Sequence, residues 1–185
     1  MLLKWRWIPN GLTFFRILLV IPFVWTLASD QYRPALALFV LAAVTDGLDG
    51  FLARVCDWKT RLGAIADPLA DKFLMITAFL VLSVTDVLPL WLFGLVLGRD
   101  LVIVGGGLLF HRLVGPFDIQ PSLFGKLNTL VQILAVLAVM MAEAGFSMPA
   151  TTHKLAIASV AFMAVVSGAH YVGLWGIRAV RGESS

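Results

Sequence analysis

Residues 46–72, DGLDGFLARVCDWKTRLGAIADPLADK, place Asp46, Asp49, Asp67 and Asp71 beside segments that are apolar enough to lie in a lipid bilayer. An aspartate at the centre of a membrane helix costs roughly 2.5–3.5 kcal/mol on insertion scales. Ionisable residues in such positions are usually kept for a function and need a partner that compensates their charge. The stretch therefore predicts both a membrane fold and a chemical site.

The composition of the whole chain supports a membrane protein. The chain has 185 residues, of which 60% are hydrophobic, and its mean hydropathy is +0.94. Soluble globular domains are less apolar than this. The single cysteine, Cys56, excludes an intrachain disulfide. No basic tract interleaved with aromatic residues occurs, which argues against nucleic-acid binding.

We predict an all-α integral membrane protein that forms one domain over residues 1–185. A membrane span needs about 20 apolar residues in a helix. The apolar runs, divided by turn-forming and charged stretches, indicate a six-helix membrane domain over 11–180. The six transmembrane helices are expected at about 12–28, 34–53, 64–85, 88–113, 122–142 and 152–180.

The first ten residues differ from the rest, because Lys4, Trp5, Arg6 and Trp7 combine basic and aromatic side chains. This composition favours a short interfacial helix over a disordered tail. We expect the first apolar helix to be retained rather than removed as a signal peptide, because Arg16 interrupts its apolar run.

The distribution of Lys and Arg predicts the orientation in the membrane. One set of helix ends holds most of the basic residues, and the opposite set holds Arg33 and Lys154. Cytoplasmic ends are enriched in basic residues, so both termini and the loop at 54–63 are expected inside. The membrane would be the bacterial inner membrane, or the mitochondrial inner membrane in a eukaryote.

The four aspartates are spaced to converge. Asp46 and Asp49 are three residues apart, and Asp67 and Asp71 are four apart, so each pair shares a helix face. A short loop makes the two helices antiparallel neighbours. Carboxylates that are close together repel unless cations lie among them, and oxygen ligands suit hard divalent cations. We predict two ions of Mg²⁺ or Mn²⁺ rather than Zn²⁺, since the cluster has no neighbouring histidine.

Each aspartate also has a structural interpretation. Asp67 could be a helix N-cap followed by Pro68. Asp49 could pair with Arg54, and Asp71 with Lys72. The combined spacing favours the metal site over these separate explanations.

The residues of this stretch resemble a known family. They read D-x2-D-G-x2-A-R-x8-G-x3-D-x3-D and match at every position the signature of the CDP-alcohol phosphatidyltransferases. The segment Ile8–Arg16, IPNGLTFFR, resembles the opening of members that make phosphatidylglycerophosphate or cardiolipin.

The resemblance implies six transmembrane helices, a homodimer and two divalent metals. It also implies transfer of a phosphatidyl group from CDP-diacylglycerol to an alcohol, with CMP as leaving group. Metal ligands would be Asp46, Asp49, Asp67 and Asp71, with Asp71 also the general base. The CDP-lipid would contact the conserved small and basic positions and the start of the first helix, namely Gly50, Ala53, Arg54, Gly63, Asn10, Thr13 and Arg16. Asn10 could equally be the N-cap of the first helix.

The acceptor is predicted from the segment Phe124–Gln132, FGKLNTLVQ. Family members that use glycerol 3-phosphate usually carry G-K-x-K-T here, whereas this chain has Lys126 followed by Asn128. The pattern resembles eukaryotic-type cardiolipin synthases, so we expect the anionic lipid phosphatidylglycerol as acceptor, bound by Arg99, Lys126 and Asn128. The alternative is a phosphatidylglycerophosphate synthase.

Four further alternatives stay open. Arg99 could instead pair with Asp100, and Lys126 could extend to the headgroups without binding the acceptor. Gly94 and Gly98 could allow close helix contact within one subunit or across a dimer. A divalent-cation transporter is a remote alternative that gives the matched Gly, Ala and Arg positions no role.

Overall fold

The structure, a computed structural model, describes the backbone of residues 8–55, 61–113 and 122–181. Side chains are described for residue 15 and for residues 17–45, 72–107 and 122–174. Every regular element in these ranges is a helix. The helices are α1 (Ile8–Ala28), α2 (Tyr32–Val55), α3 (Arg61–Val84), α4 (Leu90–Leu113), α5 (Leu123–Glu143) and α6 (Thr152–Arg181).

The all-α class and the number of helices are confirmed, and the N-termini of α1 and α3 differ most from the predicted ones. That all six helices cross the membrane stays a prediction. Helix α1 begins at Ile8, so Asn10 lies within it, and the prediction of Asn10 as N-cap was wrong. Residues 8–10 thus belong to α1 rather than to the predicted interfacial segment, whose residues 1–7 lie outside the described part. Helix α3 begins at Arg61, so Asp67 is not its N-cap either.

Three helices have described segments that are long and apolar enough to cross a membrane: Leu90–Gly107, Leu123–Glu143 and Thr152–Leu174. The other three helices contribute shorter apolar stretches among the described residues, at Ile17–Ala28, Tyr32–Thr45 and Lys72–Val84.

The helices form two compact units. The first contains α1, α2 and α3 together with Met140–Met148 at the end of α5. Its core holds Phe23, Phe39 and Phe79, and the rings of Phe23 and Phe39 lie 5.8 Å apart. The second contains α4, most of α5, and α6. Its core is built from smaller side chains, such as those of Leu92, Val136 and Val160.

The C-termini of α1 and α5 end in the same kind of turn. Asp30 and Gly145 have φ angles of 57° and 83° and occupy the left-handed position just after each helix. In α1, the amide of Gln31 donates to the carbonyl of Thr26 at 2.9 Å, and the amide of Asp30 donates to that of Leu27. These bonds are those of a Schellman motif, which satisfies the last helical carbonyls.

Arg33 in α2 ties the end of α5 to the first unit. Its Nε donates to the carbonyl oxygen of Ala144 at 3.0 Å. A cation at the C-terminus of a helix is favoured because the exposed carbonyls carry partial negative charge.

Candidate active site

The predicted metal ligands lie on two consecutive helices. Asp46 and Asp49 lie in the second half of α2, and Asp67 and Asp71 lie in the first half of α3. Their side chains lie outside the described residues. The same is true of the positions predicted to contact the CDP-lipid, which are Asn10, Thr13, Arg16, Gly50, Ala53, Arg54 and Gly63.

Among the residues whose side chains are described, no three His, Cys, Asp or Glu lie close enough to hold a metal ion. The four aspartates are not in that set, so the two-metal centre stays a prediction.

The residues predicted to bind the acceptor belong to the second unit, and their side chains are among those described. Arg99 and Asp100 are neighbours in α4, and Nη1 of Arg99 lies 2.7 Å from Oδ1 of Asp100. Only 8% and 15% of these side chains are exposed. Adjacent residues point apart on a helix, but the long arginine side chain bends back to reach its neighbour. The predicted alternative of an ion pair is thus confirmed.

The other face of the Arg99 guanidinium meets α6. Nη2 donates to Oγ of Ser167, and the guanidinium carbon lies 5.9 Å from the centroid of the Tyr171 ring, in reach of a cation–π interaction. A Cβ atom added at Gly168 would lie 3.6 Å from Cγ of Arg99. This distance is an ordinary van der Waals contact, and it shows that the Arg99 side chain packs against α6 at Gly168.

Tyr171 also organises the start of α5. Its hydroxyl accepts a hydrogen bond from the backbone amide of Ser122 at 3.0 Å. The side-chain oxygen of Ser122 in turn accepts from the amide of Gly125 at 3.0 Å, which is the bond of a helix N-cap. Two of the amides that a helix N-terminus leaves unpaired are satisfied in this way.

Gly125 is the residue that permits this arrangement. A Cβ atom at this position would lie 3.0 Å from the Tyr171 hydroxyl and 3.4 Å from Oγ of Ser122. On the neighbouring turn, the rings of Phe124 and His170 lie 4.7 Å apart. Lys126 follows on the exposed side of α5. The start of α5, and with it the position of Lys126, is thus fixed by α6.

Asn128 and Gln132 form a buried polar pair one turn apart on α5. Their side chains are 1% and 5% exposed. Both amide atoms of Asn128 and Nε2 of Gln132 lack a hydrogen-bond partner among the described residues, as does Nε of Arg99. Buried polar groups are nearly always paired, so these atoms are suited to a ligand with hydroxyl or ester oxygens.

Sequence reasoning found Arg99, Lys126 and Asn128 but missed Gln132, Ser167 and Tyr171. The i, i+4 spacing of Asn128 and Gln132 in an otherwise apolar helix was a signal that could have found Gln132. No comparable signal marked Ser167 or Tyr171, because their role depends on how α6 is rotated against α4.

Comparisons with known proteins agree with the motif. The family described as CDP-alcohol phosphatidyltransferase matches residues 6–171. A CDP-diacylglycerol–glycerol-3-phosphate 3-phosphatidyltransferase of Aquifex aeolicus is 36% identical over 135 residues, which cover 71% of this chain and 74% of that protein. The Bacillus subtilis protein of the same name is 30% identical over 181 residues, covering 89% of this chain and 92% of its own length.

Relatives with another name are equally similar. A cardiolipin synthase (CMP-forming) of Rattus norvegicus is 31% identical over 149 residues, covering 71% of this chain and 49% of that protein. The match spans nearly the whole chain and includes the aspartate-bearing helices and the residues around Arg99 and Tyr171. The chain is a membrane enzyme that belongs to the CDP-alcohol phosphatidyltransferase family.

Proposed function

We propose that this enzyme is a cardiolipin synthase, which transfers the phosphatidyl group of CDP-diacylglycerol to a hydroxyl of phosphatidylglycerol and releases CMP. The observation that carries the choice of acceptor is Asn128, whose buried amide has no partner among the described residues.

A neutral amide at this position suits a glycerol headgroup better than a phosphate. Glycerol 3-phosphate is a phosphomonoester with nearly two negative charges at pH 7, which favours clustered cations. This chain has Asn128 where the resemblance places a second lysine, beside the single cation of Lys126. The amides of Asn128 and Gln132 can both donate and accept, as recognition of free hydroxyls requires.

The reaction needs a base and a means of neutralising charge on the phosphoryl group. We assign Asp46, Asp49, Asp67 and Asp71 as ligands of two divalent ions, since four carboxylates are a donor set that fits Mg²⁺ or Mn²⁺. When bound, these ions stabilise negative charge on the phosphoryl oxygens. Asp71 accepts the proton of the acceptor hydroxyl, whose oxygen forms the new bond to phosphorus while the bond to CMP breaks.

The remaining predicted residues bind the two lipids. Gly50, Ala53 and Gly63 allow the nucleotide to approach the backbone, and Arg54 contacts a phosphate with its guanidinium. Near the start of α1, Asn10, Thr13 and Arg16 contact the pyrophosphate. On the acceptor side, Lys126 binds the phosphodiester of phosphatidylglycerol.

Arg99 has a different part in this proposal. Both of its terminal nitrogens are engaged, by Asp100 and by Ser167, and the side chain is largely buried. Its Nε remains for the acceptor, and its main effect is to hold α6 and therefore the start of α5 in place.

The membrane arrangement follows from the charge pattern. We propose that all six helices cross the membrane, with both termini and the aspartates on the cytoplasmic side of a bacterial or mitochondrial inner membrane. We also propose a homodimer. Among the residues that the structure describes, none comes within 4 Å of Cβ atoms added at Gly94 and Gly98 of α4, which supports a contact of this face with a second copy.

A phosphatidylglycerophosphate synthase is the second candidate. The Bacillus subtilis enzyme named for glycerol 3-phosphate matches over 92% of its own length, whereas the rat cardiolipin synthase matches over 49%. The Aquifex aeolicus relative named for glycerol 3-phosphate is 36% identical to this chain, and this similarity favours the second function.

One assay separates the two candidates. The purified enzyme receives CDP-diacylglycerol, Mg²⁺ or Mn²⁺, and either phosphatidylglycerol or glycerol 3-phosphate, and CMP and lipid products are measured. Cardiolipin formed only with phosphatidylglycerol supports the proposal. Product formed only with glycerol 3-phosphate contradicts it and establishes the second candidate.

A further inference from the structure

The first unit carries two adjoining cavities at the end of α2 that lies away from the aspartates. Arg33 and Asp46 are separated by thirteen residues of helix, or about 20 Å at 1.5 Å per residue. Both cavities have Arg33 in their walls. Neither cavity includes a residue predicted to take part in phosphatidyl transfer.

The first cavity has a volume of about 340 Å³. Asp30, Tyr32, Arg33 and Glu143 are among its lining residues, so the carboxylate of Asp30 and the guanidinium of Arg33 border the same space. The Tyr32 hydroxyl donates to Oδ1 of Asp30 at 3.0 Å, and Nε of Arg33 donates to the carbonyl of Ala144. Because these bonds fix Asp30 and Arg33, the charges are held in place before a ligand binds.

The second cavity is an apolar groove of about 600 Å³ that runs along α2 from Arg33. Leu36, Val40, Leu41 and Val44 line it at helical spacing, and Phe146 closes one side. Val40, Leu41 and Val44 are 42%, 42% and 52% exposed, as expected of apolar side chains on a helix that faces the membrane. An acyl chain is the ligand that matches a long apolar groove in a bilayer.

We infer that the two cavities together form a binding site for a phospholipid with an amine in its headgroup. The acyl chain lies in the groove along α2, the phosphate contacts Arg33, and the ammonium group contacts the carboxylate of Asp30. Charge decides the headgroup: one carboxylate and one guanidinium match one ammonium and one phosphate. A phospholipid whose headgroup carries only negative charge would place no cation against Asp30.

The site is separate from phosphatidyl transfer and does not depend on the proposed acceptor. In the proposed orientation it lies in the leaflet opposite the aspartates. An occupied site would hold α2 and the end of α5 together, because Arg33 belongs to α2 and both Glu143 and Ala144 belong to the end of α5.

Native mass spectrometry of the purified protein in detergent tests the inference. The protein is titrated with phosphatidylethanolamine, phosphatidylcholine or phosphatidylmethanol of identical acyl chains, without CDP-diacylglycerol; phosphatidylmethanol is anionic and has no hydroxyl that could act as acceptor. We expect the tightest binding for phosphatidylethanolamine, because its ammonium donates three hydrogen bonds while the trimethylated choline donates none. Arg33→Gln should weaken this binding about tenfold, as expected for the loss of one charge-assisted hydrogen bond.

Two further variants distinguish the contribution of the headgroup contacts to lipid binding from that of the groove. Asp30→Asn removes the carboxylate but keeps a residue that tolerates the left-handed backbone, and it should abolish the preference for phosphatidylethanolamine over phosphatidylmethanol. Ala37→Trp fills the groove and should weaken binding of all three lipids alike.

Matched controls lie elsewhere on the surface. Lys154→Gln removes an exposed cation, and Ile21→Trp enlarges an exposed apolar side chain, and neither lines the cavities. Both should bind phosphatidylethanolamine as the unmodified protein does. Equal binding of the three lipids by the unmodified protein, or unchanged binding by folded Arg33→Gln, would overturn the inference.

Discussion

The hydroxyl of Tyr171 in α6 accepts a hydrogen bond from the backbone amide of Ser122 at 3.0 Å, just before α5 begins. The ring of the same tyrosine lies under the guanidinium of Arg99. One side chain therefore links α4, α6 and the start of α5, and Lys126 lies one turn beyond this link.

Tyr171→Phe keeps the ring and removes the acceptor. The partly buried amide of Ser122 would lose its partner, which costs at most about 1–3 kcal/mol of stability. Because Lys126 would be less well held, we expect a higher KM for the acceptor and a smaller change in kcat. Thermal unfolding in detergent and steady-state kinetics measure both effects, and an unchanged melting temperature and KM would show that the link has no role.

Gly125→Ala should reproduce much of the destabilisation expected for Tyr171→Phe, because Gly125 lies on the other side of the same contact. The added Cβ would lie 3.0 Å from the Tyr171 hydroxyl, so the tyrosine must move. Gly173→Ala is the matched control, since a Cβ there meets nothing within 4 Å and alanine favours helix by up to about 1 kcal/mol. We expect Gly125→Ala to lower the melting temperature and Gly173→Ala to leave it equal or higher. The reverse order would refute the packing described here.

The contributions of Arg99 and Asp100 to stability should be energetically coupled. Arg99→Gln removes the cation beside a largely buried carboxylate, and we expect a loss of roughly 3 kcal/mol in the free energy of unfolding. The double variant Arg99→Gln with Asp100→Asn should be less destabilised than Arg99→Gln alone, because no unpaired charge remains. Chemical denaturation of both single variants and the double variant gives the coupling energy. Strictly additive losses would mean that the two side chains do not interact.

Asn128→Lys tests the proposed choice of acceptor. A second cation at this buried position should favour the doubly charged glycerol 3-phosphate, raising its kcat/KM relative to phosphatidylglycerol by about tenfold. Thr129→Lys adds the same charge at an exposed neighbour and serves as the control. If both variants change the ratio equally, the effect is one of surface charge and Asn128 does not select the acceptor.

Much of the fold could be predicted from the sequence because lipid imposes a simple rule. In a bilayer, long apolar runs must be helices. The turns at Asp30 and Gly145 mark where α1 and α5 end. The N-termini of the helices were harder to predict than their C-termini. The charged residues before Ala64 are as compatible with a helix as with a loop, and α3 in fact begins at Arg61.

The contacts of the candidate site were less predictable than its residues. The pattern of carboxylates, glycines and Lys126 could be read because each type has a chemical role at that spacing. The bonds from Arg99 to Ser167 and from Ser122 to Tyr171 join residues far apart in sequence. They depend on helix rotation and on side-chain conformation, which no local pattern specifies.

The central claim is that clustered aspartates with divalent ions transfer the phosphatidyl group. Its most direct test is release of CMP from CDP-diacylglycerol in the presence of phosphatidylglycerol, with Mg²⁺ or Mn²⁺ or with a chelator. A matched pair of variants, Asp71→Asn and Asp86→Asn, is compared with the unmodified enzyme; Asp86 lies in the turn after α3. We predict that the chelator and Asp71→Asn each abolish CMP release while Asp86→Asn retains it. Full activity of Asp71→Asn, or activity that persists without divalent ions, would contradict the claim.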